Sequence, residues 1–205
     1  MKSLSLTIPK VLFLVGTPGA GKTYFAEKFS NTFSAPFLQL EALRHAVAPE
    51  PTYSAAEQKI VDTLADNMLD ELLKTGKTIL YEGGLEARTA RMALAKKVRQ
   101  AGYEPMFIWV QTEAITAKQR ATKGVRGRTN QLISPERYEQ LVGKFTAPNQ
   151  AEKPVVISGK HTYGSQARII LKRLSNSQAS GQSDTPLQVP ERKPRKAGNI
   201  TVTQS

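Results

Sequence analysis

Apolar runs alternate with stretches of helical period along this chain. Val11-Leu12-Phe13-Leu14-Val15 carries no polar residue, the mark of a strand covered on both faces. A helix-compatible run over 24–30 follows it. Pro36-Phe37-Leu38-Gln39-Leu40 reads as a short second strand. Over 54–74, Ile60, Leu64, Met68, Leu69, Leu72 and Leu73 recur at helical spacing, and Thr75-Gly76 ends that helix. Lys77-Thr78-Ile79-Leu80-Tyr81 is a third strand, closed by Glu82-Gly83-Gly84. A helix over 86–101 stops at Gly102. The fourth strand, over 105–111, centres on Phe107-Ile108-Trp109-Val110 and puts Trp109 in the core. A helix over 113–121 leads into a basic loop over 122–130. Ser134-Pro135-Glu136-Arg137 then carries a helix start, serine as cap and proline at the first helical position, for a helix reaching Phe145. Pro154-Val155-Val156-Ile157-Ser158 is the fifth strand, and the last helix covers 166–174. Strands alternating with helices predict an α/β fold: a doubly wound, five-stranded parallel sheet with flanking helices.

The 205 residues fit one domain, 1–174, plus an appendage. From Ser175 the composition turns to Ser, Gln, Gly, Pro and Asn, which cannot bury enough surface to offset ordering, so 175–205 is expected to be a disordered polar tail. Its Glu191-Arg192-Lys193-Pro194-Arg195-Lys196 patch reads first as solubilising and second as a weak contact for nucleic acid. There are no cysteines and only two histidines, His45 and His161, so thiolate and histidine metal sites are excluded. No apolar run approaches the roughly 20 residues that span a bilayer, and nothing at the start resembles a signal peptide. A cytoplasmic protein with no membrane partner is expected. The net charge of +12 suits anionic partners: nucleotides, phosphorylated metabolites or nucleic acid.

Candidate chemistry begins where the first strand ends. Gly16-Thr17-Pro18-Gly19-Ala20-Gly21-Lys22-Thr23 is G-x-x-x-x-G-K-T between a strand and a helix opening at Tyr24. Glycines there let successive N–H groups wrap a phosphate chain, and the positive helix end adds to the field. Lys22 would reach the β- and γ-phosphates of a nucleoside triphosphate, and Thr23 would ligate Mg²⁺. Neither residue is explained by a simple glycine turn.

Ligands in open parallel sheets bind at the carboxyl ends of strands, and three further features fall there. Glu41 and Arg44 follow the second strand, as a candidate hydroxyl-activating acid and an acceptor-binding cation. Glu82 ends the third, as the second magnesium contact, through water. Arg120, Lys123, Arg126 and Arg128, interleaved with Gly124 and Gly127, form an arginine-rich lid whose arginines would stabilise charge on a transferring phosphoryl group, Arg120 first because it lies on the helix side. Arg88, after Glu82, is a candidate for an anionic acceptor. Its neighbour Arg91 is expected to face solvent, and Thr162-Tyr163-Gly164 lies where an adenine ring could rest.

In this order the elements resemble the polynucleotide-kinase-like branch of the P-loop kinases, similar in core plan to zeta-toxin and gluconate-kinase relatives, over about 10–174. The resemblance implies a P-loop NTPase core with the phosphate-loop strand in the middle, ATP as donor, Mg²⁺, and transfer of the γ-phosphate to a hydroxyl. It implies Glu41 as the activating acid, Arg44 as its substrate-phosphate partner, and Arg120 and Arg126 as lid arginines. That branch usually has aspartate where this chain has Glu41 and Glu82. The acceptor reads as a nucleotide, a nucleic-acid end or a small phosphorylated metabolite, with a sugar nucleotide of the zeta-toxin type included. An ATPase or switch with no small acceptor, and a nucleic-acid-binding protein with a degenerate kinase core, are the alternatives. No N-K-x-D guanine-reading element is present.

Overall fold

A computed structural model describes residue 6, residues 8–125 and residues 132–180, the last four by backbone alone. Arg126, Arg128 and the chain beyond 180 lie outside the described residues, so the lid and tail expectations are carried by sequence.

Five strands form one sheet: β1 (Lys10–Val15), β2 (Phe37–Gln39), β3 (Ile79–Glu82), β4 (Glu104–Gln111) and β5 (Val155–Ser158). Their order is β2-β3-β1-β4-β5, and every pairing is parallel. The helices are α1 (Lys22–Phe33), α2 (Leu40–Val47), α3 (Ala55–Leu73), α4 (Arg88–Gln100), α5 (Ala114–Lys123), α6 (Pro135–Lys144) and α7 (Tyr163–Ser180), with a 3-10 turn at Gln150–Glu152.

The two-residue alternation of the central strand separates two cores. Val11, Phe13 and Val15 face α3 and α4, meeting Val61, Leu69, Ala95 and Val98. Leu12 and Leu14 face α1 and α7, meeting Phe25, Phe29, Ile170 and Leu174. All six residues of β1 are buried, which puts its carboxyl end, where the glycine-rich loop begins, at the middle of one edge. Lys10 escapes the cost of burial by pairing with Glu104 on the neighbouring strand.

The α3 stripe meets expectation at Leu69 and Leu73 and differs at three other positions. Its buried positions are Glu57, Val61, Ala65, Leu69 and Leu73, whereas Ile60 (50% exposed), Leu64 (37%) and Met68 (43%) point outward. Two stripes of equal period compete on this helix, and the one with small Ala65 at its centre seats against the sheet. Trp109 is half-buried rather than core. It sits with Phe145, Val156 and Thr17 around an open cavity of about 490 Å³. Helix α7 runs six residues past the expected end at Leu174, so the domain boundary drawn there cuts a helix. No helix among the described residues is long and apolar enough to cross a membrane.

Candidate active site

The glycine-rich loop joins β1 to α1 in three left-handed glycines: Gly16 (φ 150°), Gly19 (φ 74°) and Gly21 (φ 106°). A side chain on Gly19 would lie 2.1 Å from the Ala117 carbonyl oxygen, and one on Gly16 would lie 2.5 Å from that of Val110, so α5 and β4 press directly on the loop. Gly21 caps α1 and brings no side-chain acceptor. The first-turn N–H groups of α1 therefore have no side-chain cap, the arrangement that receives an anion. The loop's carbonyls are tied back instead. Lys22 Nζ donates to Gly16 O (2.9 Å) and Thr17 O (3.1 Å), and the Thr112 hydroxyl donates to Ala20 O (2.9 Å). Pro18 and Tyr24 are half-buried on the same turn.

Glu82, at the end of β3, is brought to the loop as expected. The Thr23 hydroxyl hydrogen-bonds both its oxygens at 2.9 Å, and Lys22 Nζ stands 4.0 Å away. Burial pushes the Glu82 carboxyl up from its ordinary range, against the pull of Lys22 and the Thr23 hydroxyl. Gln39, which the sequence reading did not single out, completes the cluster: its amide reaches Thr23 Oγ1 (3.3 Å) and Glu82 Oε2 (3.4 Å). A hydroxyl and a carboxylate side by side, with no nitrogen or sulfur ligand, fit Mg²⁺, which takes one or two protein oxygens and leaves the rest to phosphate and water.

Gln39 is also the residue before α2. Leu40 packs on the β3 turn so closely that a side chain on Gly83 would meet its Cβ at 2.6 Å. Glu41 follows at once, its side chain 42% exposed. The Tyr53 hydroxyl donates to Glu41 Oε1 at 2.7 Å, and Arg44 Nε lies 3.4 Å from Oε2. Tyr53 holds φ at +54°, a conformation costing roughly 1–2 kcal/mol for a residue with a Cβ. Glu57 enforces it. Thr52 N (2.6 Å), the Thr52 hydroxyl (2.8 Å) and Tyr53 N (3.2 Å) all donate to its Oε2.

Arg44 departs from the role expected of it. It is buried, and its two terminal nitrogens donate to Glu57 and Gln58. Arg44 thus fastens α2 to α3 and flanks Glu41, with both terminal nitrogens engaged in that tie. Hydrogen bonding to Arg44 is the main reason the Glu57 carboxyl is held down to about 2.

Arg120 is brought to the loop. Its Nη1 donates to Gly159 O at 3.1 Å, and Gly159 abuts the loop so tightly that a Cβ there would lie 1.9 Å from Ala20 O. Arg88 sits on the far side of the β3 turn, half-exposed, with Nε 4.0 Å from Glu152. Arg91, expected to face solvent, is fully buried instead. It pairs with Glu152 (2.6 and 3.1 Å) and donates to the carbonyls of Leu85, Glu86 and Thr146, locking the chain before β5 onto the turn after β3.

A phosphate cradle on the middle strand of a 2-3-1-4-5 parallel sheet, backed by an acid on the adjacent strand, defines a P-loop kinase fold. Residues 2–152 match the zeta toxin family model, and the chain belongs to that family. Solved structures with the same fold include an APS kinase of Mycobacterium tuberculosis in complex with AMPPNP and APS. That likeness has a TM-score of 0.60 and 19% identity, over 82% of this chain and 98% of the other. A gluconokinase of Sinorhizobium meliloti 1021 matches at TM-score 0.57 and 14% identity, over 86% and 98%. A chain of the Pnkp1/Rnl/Hen1 RNA repair complex matches at 0.59 and 19%, over 73% of this chain and 46% of that one.

Proposed function

We propose that this protein transfers the γ-phosphoryl group of ATP to a hydroxyl of a nucleotide, a nucleic-acid end or a small phosphorylated metabolite, a sugar nucleotide among them. The observation that carries the reading is the unbroken run of contacts from the phosphate cradle to an acid: Thr23 to Glu82, Glu82 and Thr23 to Gln39, and Gln39 into the helix that presents Glu41. A nucleotidase needs only a positioned water. A carboxylate mounted on its own helix and braced by Tyr53 supports a built acceptor site.

Lys22, now folded on the loop carbonyls, would swing to the β- and γ-phosphates, while the α1 amides and Arg120 take up charge on the transferring group. Thr23 and Glu82 would hold Mg²⁺, which when bound neutralises charge shared between those phosphates. The acceptor oxygen forms a bond to the γ-phosphorus, the bond from that phosphorus to the bridging oxygen breaks, and its electron pair leaves on ADP. Glu41 accepts the hydroxyl proton and returns it to solvent. The longer reach of glutamate is restrained here by the Tyr53 hydrogen bond, which matters because sub-ångström placement governs such steps. Arg126 is assigned alongside Arg120 as a charge-stabilising residue on sequence grounds.

A screen with γ-labelled ATP against nucleosides, oligonucleotide ends, sugar phosphates and sugar nucleotides tests the reading, with Lys22→Ala as the control. Label in an acceptor that disappears in Lys22→Ala is the expected result. Phosphate released to water at the same rate with every compound would replace the kinase reading with an ATPase.

A further inference from the structure

Two guanidinium groups from different parts of the fold converge on one tyrosine ring. Arg44 Cζ of α2 and Arg137 Cζ of α6 each lie 4.8 Å from the Tyr53 centroid, the range of a cation–π contact. The same tyrosine donates its hydroxyl to Glu41 at 2.7 Å. Arg137 is therefore held beside the acceptor acid by a platform shared with it. The two arginines differ in what else they do. Arg44 has its terminal nitrogens committed to Glu57 and Gln58. Among the described residues, Arg137 has a buried Nε with no hydrogen-bond partner, and its Nη1 makes a 3.5 Å contact with Gln140 on its own helix. A guanidinium oriented by a ring face and short of acceptors is pre-organised for an oxyanion.

We infer that Arg137 is the residue that reads the acceptor, by binding an oxyanion carried on the same molecule as the hydroxyl offered to Glu41, and that Tyr53 positions both groups. The inference rests on the kinase reading above and adds to it a specificity residue, Arg137, for the anionic group that the acceptor carries beside its hydroxyl. The spacing between the hydroxyl and that charge is set by Tyr53, whose hydroxyl holds the acid and whose face holds the arginine. Its left-handed backbone is maintained by three hydrogen bonds to Glu57, so a strained residue is retained where it joins two functional groups.

The test uses full-length protein loaded with Mg²⁺ and a non-hydrolysable ATP analogue, which occupies the phosphate loop, followed by calorimetric titration with inorganic phosphate and separately with acetate. The inference expects one anion to bind the loaded wild type. It expects Arg137→Ala to weaken that binding on the order of 10- to 100-fold, the loss of a charge-assisted pair, and Arg137→Lys to fall between. Tyr53→Phe, which keeps the ring, should stay near wild type, and Tyr53→Leu should weaken binding several-fold. Lys144→Ala, exposed on the same helix, should change nothing. Phosphate as the tighter anion assigns a phosphorylated acceptor, and acetate a carboxylated one. Equal affinity in wild type and Arg137→Ala, or no anion bound by the loaded protein, overturns the inference. Failure of the analogue to load at all is seen first and overturns the kinase reading with it.

Discussion

The Thr23 hydroxyl stands 2.9 Å from both carboxylate oxygens of Glu82, although 59 residues separate them. One belongs to the helix that follows the phosphate loop and the other to the end of the neighbouring strand. The parallel register that pairs Leu14 with Glu82 delivers the carboxylate to this height. Burial makes its charge costly, and the folded protein therefore resists its ionisation.

Glu82→Gln should for that reason stabilise the nucleotide-free protein while impairing it as an enzyme. A carboxyl raised in the folded state favours folding at pH below its ordinary 4.5, and that contribution is lost as pH rises through the folded value. Thermal melts should show the glutamine variant melting higher at pH 7 to 8, the gain fading below about pH 4.5. Magnesium-dependent turnover should fall in the same variant. An unchanged melting temperature across this range would mean that the carboxylate is not held in a charge-averse setting.

Gly159 has no unusual φ, yet it tolerates no side chain. A Cβ there would lie 1.9 Å from Ala20 O and 2.2 Å from Thr112 Oγ1, so it would press on the backbone of the phosphate loop and on the hydroxyl that ties it back. Gly159→Ala should abolish nucleotide binding at temperatures where the protein remains folded. Gly164→Ala is the matched control, because nothing lies within 4 Å of its Cβ position. In the first turn of α7 that change should raise stability by less than about 1 kcal/mol, the helix-interior value. ATP binding by calorimetry and urea titration separate the two effects.

The phosphate loop was legible because its chemistry is local: eight consecutive residues declare the turn, the lysine and the hydroxyl. Glu82 was legible from its place at a strand end. Gln39, Tyr53, Glu57, Arg137 and Glu152 were not, because each acts through a partner that only the fold brings near. Arg44 and Arg91 show the same limit from the other side. Their spacing on a helix is visible in sequence, but Glu57 and Glu152 decide that they are buried ties. On α3 the apolar residues at helical spacing include Leu69 and Leu73, which are buried, and Ile60, Leu64 and Met68, which point outward while Val61 and Ala65 seat on the sheet. Periodicity identified the helix and left its facing open.

Arg91 and Glu152 form a pair whose side chains are 0% and 1% exposed. Burial alone would push the Glu152 carboxyl up; the Arg91 guanidinium and the Asn149 amide outweigh it and hold it below its ordinary range. Arg91→Ala should cost about 3–5 kcal/mol in urea unfolding, because it leaves a buried charge without a partner. Replacing both members by apolar residues should recover only part of that. The carbonyls of Leu85, Glu86 and Thr146 also lose their donor, and unsatisfied buried acceptors are costly in their own right. Full recovery in the double variant would show that these three carbonyls find water instead.

Glu57 governs the acid limit of the acceptor side. Its carboxyl is held down to about 2, first by its hydrogen bond to Arg44 and further by Thr52, against the effect of burial. For a carboxyl depressed in the folded state, the stabilisation is complete above its ordinary 4.5 and is lost as pH falls toward about 2. Wild type should therefore lose melting temperature steadily across that interval, while Glu57→Gln melts lower at neutral pH and approaches wild type near the acid end. The same variant frees Arg44 and the loop that holds Tyr53 in its left-handed backbone. Transfer to an acceptor should accordingly fall further than affinity for ATP, because Glu57 holds Arg44, Thr52 and Tyr53 on the acceptor side and not the phosphate loop. Melts between pH 2 and 8, run beside nucleotide titration and a transfer assay, measure all three. Parallel loss of ATP binding would mean that α2 and the phosphate loop are one cooperative unit rather than two joined at Gln39.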